Sequence, residues 1–125
     1  MDFVVVGGIA ATLLGAPITT YDLEVVHSTA TENVDRLLCA LADLNAVYRL
    51  QPERRLQPGA SLLASTCHQL LMTKYGPADV LGAIGRGRQY ANLLPVGEGR
   101  LPPLQTRQYP LHHSQVRLIR SPAGC

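Results

Sequence analysis

Two adjacent glycines, Gly7-Gly8, directly follow a short apolar run near the N-terminus, and this junction limits the folds open to the chain. The run Phe3-Val4-Val5-Val6 is β-branched and uncharged, which is typical of a strand buried on both faces. A short apolar helix is predicted from Ile9 to Leu14, ended by Gly15. Because glycine has no Cβ, the turn between them allows positive φ and a close approach of other groups. The junction therefore predicts a strand, a tight turn and a helix N-terminus where a phosphate could bind.

A second strand is predicted from Tyr21 to His27, and it carries two acidic residues. Side chains on a strand alternate between faces, so Asp22 and Glu24 lie on one side while Leu23 lies on the other. Neighbouring carboxylates repel and raise each other's pKa unless a cation compensates, so the pair suits a hard divalent ion such as Mg²⁺ or Mn²⁺. The alternative is a solvated polar face on a half-exposed strand.

A strand, Gly-Gly, a short helix and a Thr-x-Asp-x-Glu strand together resemble the nucleotidyltransferase superfamily. The sequence looks closest to small bacterial proteins of the abortive-infection and toxin–antitoxin type. The resemblance implies nucleotide binding at Gly7, Gly8 and Thr20. It also implies that Asp22 and Glu24 bind metal and take part in catalysis, with a third carboxylate supplied by a neighbouring strand.

A β-hairpin is predicted between Cys67 and Ala83, with its turn at Lys74-Tyr75-Gly76-Pro77. Its second arm, Ala78 to Ala83, is apolar except for Asp79, which must face water or a cation because an unpaired buried carboxylate is costly. In the family that the chain resembles, a Thr-x-x-Gly-x-x-Asp stretch here supplies the third metal-site carboxylate, matched by Thr73, Gly76 and Asp79. The alternative is an acidic residue at the mouth of a hairpin.

A scaffold helix is predicted from Thr31 to Leu44, because apolar residues recur there at three- and four-residue spacing. Thr29 and Glu32 fit a capping box that would open it, and Asn45 would end it. The predicted fold class is α/β (α+β), a nucleotidyltransferase-like mixed β-sheet with flanking helices. Relatives usually have further helices at both ends, so we expect a minimal domain shortened at both ends.

With 125 residues, the chain is long enough for one domain. Its net charge of +2 does not by itself indicate a nucleic-acid binder. We expect a core over residues 1–94 and a loop-rich tail over 95–125 with one short strand, Gln115 to Ile119. Cys39, Cys67 and Cys125 are odd in number and far apart, which argues against a disulfide framework or a zinc site. The expected setting is cytoplasmic, and the apolar start is too short to span a membrane.

The expected function is a metal-dependent enzyme that moves a nucleoside monophosphate from a nucleoside triphosphate to an acceptor. Asp22, Glu24 and Asp79 would be its catalytic and metal-binding residues. The family resemblance leaves the acceptor open among proteins, small molecules and transfer RNA. Two alternatives are an inactive nucleotidyltransferase-like domain that acts as an interaction partner in a toxin–antitoxin or phage-defence system, and a domain that holds nucleotide without turnover. Because only two helices are predicted to cover the sheet, we also expect a homodimer or a partner protein.

Overall fold

The computed structural model describes residues 1–94 and the backbone of residues 117–120. In these ranges the strands are β1 (Asp2–Val6), β2 (Leu23–His27), β3 (Val47–Tyr48), β4 (His68–Thr73), β5 (Gly76–Leu81) and β6 (Arg117–Arg120). The helices are α1 (Gly7–Leu13), α2 (Thr31–Asp43), α3 (Ala60–Leu63) and α4 (Tyr90–Leu93), with a 3₁₀ turn at Pro52–Arg54.

The strands form one mixed sheet in the order β3-β4-β5-β2-β1-β6. Strands β2 and β5 are parallel, and the other neighbouring pairs are antiparallel. A parallel pair needs a long crossover connection, and the chain between β2 and β5 supplies it with α2, β3, α3 and β4. The prediction of a mixed α/β fold with a mixed sheet is confirmed.

Each face of the sheet packs against its own set of apolar residues because strand side chains alternate. On one face, Val5, Val25, Leu71 and Val80 form the larger core with the buried stripe of α2 and with Leu63 of α3. Burial of each large aliphatic side chain contributes about 1.5–3 kcal/mol. The opposite face has a smaller core around α4, formed by Val4, Val6, Val26 and Leu81.

Helix α2 matches its predicted span to within one residue, but it begins differently. Its N-cap is Ala30 and no side chain caps it, so the predicted capping box is wrong. A buried side chain further along ties this end to the sheet instead: Asn33 accepts from the N–H of Asp2 at 2.6 Å and donates to the carbonyls of Asp2 and Ser28. Asn45 follows the helix with a φ of 54°, the left-handed conformation typical of a helix end.

Several element boundaries differ from the predictions. Helix α1 begins at Gly7 rather than Ile9, so both glycines belong to its first turn. Strand β2 begins at Leu23, which leaves Asp22 just before the strand and not within it. Strand β5 begins at Gly76, two residues earlier than the predicted arm.

The cysteines and the C-terminal tail were also subjects of the sequence predictions. Cys39 is disulfide-bonded, although the sequence argued against a disulfide framework, and Cys67 is a free thiol. Within the described part of the chain, no helix has the length and apolarity of a membrane span. In the tail, Arg117–Arg120 pair with β1; residues 95–116, where most of the loop was predicted, lie outside the described residues.

Candidate metal and nucleotide site

Three carboxylates meet at one end of the parallel strand pair. Glu24 of β2 and Asp79 of β5 are register partners, so they occupy adjacent positions on the same face of the sheet. Asp22 joins them from the residue just before β2. One carboxylate oxygen from each of the three lies within 4.8 Å of the others. The structure therefore brings together the three residues that the sequence singled out for metal binding.

The hairpin turn sets the start of β5 and with it the position of Asp79. The hydroxyl of Thr73 donates to the carbonyl of Gly76 at 2.8 Å and accepts from the N–H of Tyr75 at 3.1 Å. Gly76 has a φ of 130°, which an L side chain rarely adopts. The Thr-x-x-Gly-x-x-Asp stretch thus has a local structural role, because Thr73 and Gly76 close the turn that leads to Asp79.

The two glycines after β1 give Glu24 and Thr20 room to approach the helix start. Gly7 has a φ of 70°, and a Cβ there would overlap the carboxylate of Glu24. A Cβ on Gly8 would lie 2.7 Å from the Cβ of Thr20. The backbone N–H of Gly8 also acts on Glu24, because it lowers the pKa of that carboxyl. In this structure the glycines therefore bring the acidic residue and the threonine close to the first turn of α1.

Thr20 connects the carboxylates to a neighbouring cavity. Its hydroxyl donates to Oδ1 of Asp22 at 2.9 Å, which orients that carboxylate. Thr20 also lines a shallow cavity of about 320 Å³ that is largely open to solvent, together with Ile9, Thr12, Leu13, Ile18 and Thr19. A group bound in this cavity would lie next to Asp22.

An arginine that sequence reasoning did not assign to the site contacts Asp79. Nη1 of Arg49 lies 2.8 Å from Oδ1 of Asp79, and Nη2 donates to Oδ2 at 3.3 Å. Arg49 follows β3, a two-residue strand too short to show a period. Its only sequence signal was a positive charge directly after an apolar and aromatic pair, Val47-Tyr48.

Burial and the charges of neighbouring carboxylates raise the pKa of two side chains in the site, Glu24 and Asp79. Burial raises the pKa of Glu24, and the charges of Asp22 and Asp79 raise it further, whereas the Gly8 N–H and the Arg49 guanidinium oppose the rise. Burial also raises the pKa of Asp79, against the lowering effect of Arg49. Both side chains are therefore harder to ionise than free carboxyls. A bound cation would favour their ionised forms.

The donor set fits a hard divalent cation. Carboxylate oxygens are the ligands that Mg²⁺ and Mn²⁺ prefer, and three of them converge here. Asp79 is 8 % exposed, and its Oδ1 accepts no hydrogen bond from the described residues, although the charged Nη1 of Arg49 lies 2.8 Å from it. Among the described residues, no other group of three or more potential ligands is close enough to hold a metal ion.

No protein-family model, curated protein or solved structure matches this chain. The chemistry of the site is therefore the basis for assigning a function.

Proposed function

We propose that this chain is a metal-dependent nucleotidyltransferase with a nucleotidyltransferase-like fold. It would move a nucleoside monophosphate from a nucleoside triphosphate to an acceptor. The observation that carries the proposal is the convergence of Asp22, Glu24 and Asp79 beside Gly7 and Gly8. Asp22 and Glu24 are each partly exposed, and the third carboxylate, Asp79, is buried beside them.

In the proposed reaction, an acceptor oxygen forms a bond to the α-phosphorus while the bond from that phosphorus to the bridging oxygen breaks. Pyrophosphate leaves with its electron pair, and the acceptor proton passes to a carboxylate. When bound, Mg²⁺ or Mn²⁺ neutralises phosphate charge and lowers the pKa of the acceptor. Arg49 is paired with Asp79, which leaves the carboxylates of Asp22 and Glu24 as the candidates to take the proton.

The surroundings of the carboxylates have further roles in this proposal. Thr20 holds Asp22 in position and borders the cavity next to α1. Gly7 and Gly8 would allow the phosphates to approach the backbone beside the metal site.

The second candidate is an inactive nucleotidyltransferase-like domain that acts as an interaction partner in a toxin–antitoxin or phage-defence system. Two observations favour it. Arg49 already neutralises one carboxylate without any metal. Large side chains are also exposed: Tyr21 is 86 % exposed, Tyr75 82 % and Leu50 77 %. Such side chains are typical of a surface that binds another chain.

Pyrophosphate release separates these candidates. The purified chain is incubated with each α-labelled nucleoside triphosphate, Mg²⁺ or Mn²⁺, and either transfer RNA, a protein mixture or small hydroxyl compounds. The proposal expects metal-dependent pyrophosphate release with label transferred to one acceptor class. Loss of release in Asp79→Asn, but not in the exposed control Asp35→Asn, would support it. Metal-dependent nucleotide binding without pyrophosphate would indicate a ligand-binding domain, and no binding at all would favour the interaction partner.

A further inference from the structure

The Arg49–Asp79 ion pair lies within the proposed metal site, because Asp79 is one of the three converging carboxylates. The guanidinium contacts both oxygens of the carboxylate: Nη1 lies 2.8 Å from Oδ1 as an ion pair, and Nη2 donates a hydrogen bond to Oδ2 at 3.3 Å. The backbone holds the arginine in place, since its N–H donates to the carbonyl of Leu70 on β4 at 3.1 Å. Arg49 is thus positioned at the site by the sheet.

The carboxylate that Arg49 holds is also one of the three that converge. A metal bound by Asp22, Glu24 and Asp79 would contact the same carboxylate as the guanidinium. Oδ1 of Asp79 is buried and ion-paired but accepts no hydrogen bond, so electrostatic attraction to Arg49 is its main interaction. A second cation at this carboxylate would meet the positive charge of Arg49 at short range.

We propose that Arg49 is an internal competitor for the metal at Asp79. This inference rests on the proposed function, because it concerns the same metal site. In the metal-free protein the guanidinium stabilises the acidic cluster. A divalent cation must therefore displace the guanidinium from Asp79 or bind despite its electrostatic repulsion. Arg49 therefore lowers the affinity of the site for metal alone and favours occupancy when a polyanion such as a triphosphate offers the guanidinium another partner.

Mn²⁺ titration of the full chain, at one pH and ionic strength and without nucleotide, tests the inference. The variants are Arg49→Gln, which removes the charge, and Arg49→Lys, which keeps the charge but loses the contact of two nitrogens with the carboxylate. Arg54→Gln is the matched control, because Arg54 is exposed and bonds only to Gln51 among the described contacts. Asp79→Asn and the double variant with Arg49→Gln complete a double-mutant cycle.

We expect Arg49→Gln to bind Mn²⁺ about tenfold more tightly than the wild type. Arg49→Lys should bind a few-fold more tightly, and Arg54→Gln should bind unchanged. In the Asp79→Asn background the effect of Arg49→Gln should be smaller, because the ion pair is gone and only the charge of Arg49 near Glu24 remains. If Arg49→Gln does not fold, Arg49→Lys carries the comparison.

Two outcomes would overturn the inference in different ways. Mn²⁺ binding that Asp79→Asn weakens, but that Arg49→Gln and Arg49→Lys leave unchanged or weaken, would show that the metal site exists and that Arg49 does not compete for it. Absence of Mn²⁺ binding in the wild type and in every variant would overturn this inference together with the proposed function.

Discussion

Glu24 and Asp79 are register partners on the parallel strands β2 and β5, and their carboxyl groups share one small space with Asp22. Burial and mutual repulsion raise the pKa of both. Such an arrangement destabilises the ionised metal-free protein unless something compensates. Arg49 compensates in part, and the proposed metal would do so more fully.

The first prediction concerns Asp22. Asp22→Asn should weaken Mn²⁺ binding by at least about tenfold, because it removes one charged ligand. The metal-free variant should be as stable as the wild type, or more stable by up to about 1 kcal/mol, because repulsion of Glu24 and Asp79 is relieved. The asparagine Oδ1 still accepts the hydrogen bond from Thr20. Calorimetric titration and thermal unfolding check both effects. Equal Mn²⁺ affinity in Asp22→Asn and the control Asp35→Asn would exclude Asp22 as a ligand.

The second prediction is a pH dependence of stability. The pKa values of Glu24 and Asp79 are higher in the folded than in the unfolded chain, so the folded state binds more protons between the two values. The free energy of unfolding of the metal-free protein should therefore fall as the pH rises from the ordinary carboxylate range through the raised folded pKa values. Above those values Glu24 and Asp79 are ionised in both states and should contribute no further change. Chemical denaturation across this range measures it.

Saturating Mg²⁺ or Mn²⁺ should reverse that slope, because metal binds the deprotonated carboxylates and stabilises the folded state more at higher pH. The double variant Glu24→Gln with Asp79→Asn should lose both the slope and its reversal. A wild-type slope that survives in this variant would assign the pH dependence to other groups.

The third prediction tests the close approach at Gly7. Gly7→Ala should destabilise the protein by about 2–4 kcal/mol, because it adds a strained left-handed φ and an overlap with the carboxylate of Glu24. Gly15→Ala is the matched control: Gly15 also has a positive φ, 92°, but a Cβ there meets nothing within 4 Å. Its cost should be about 1–2 kcal/mol. Urea denaturation compares the two, and equal costs would mean that Glu24 does not contact Gly7.

The fourth prediction concerns the buried amide of Asn33. Asn33→Ala removes three hydrogen bonds to Asp2 and Ser28 and should cost about 2–4 kcal/mol. Thr31→Ala, an exposed change in the same helix, should alter stability by less than about 0.5 kcal/mol. Denaturant unfolding measures both. A small cost for Asn33→Ala would show that water or neighbouring groups replace the amide.

The fifth prediction is about assembly. If the chain acts with a second copy or a partner, the exposed Tyr21, Leu50 and Tyr75 are the described apolar side chains most available to it. Light scattering at micromolar concentration should show a dimer that the triple substitution of these residues by serine dissociates. A monomer at all these concentrations, in the wild type as in the variant, would contradict the homodimer.

Local patterns in the sequence were enough to predict the elements that carry the site. The valine run of β1, the apolar stripe of α2 and the hairpin all depend on periodicities of a few residues, and they lie close to where they were predicted. The shared side of Asp22 and Glu24 followed from the same alternation, although β2 itself begins one residue after Asp22. Short-range geometry needs no knowledge of the rest of the chain.

Other features depended on which distant segments pair. Only the parallel pairing of β2 with β5, in one register, sets Glu24 beside Asp79. Only the pairing of β3 with β4 brings Arg49 to Asp79, and β3 is too short for its pattern to be recognised. The glycines were predicted as a place for phosphate, yet it is the fold that places the side chains of Glu24 and Thr20 against them. A local pattern determines which way a side chain points along its own strand, whereas its partner across the sheet depends on long-range pairing, which no short stretch of sequence contains.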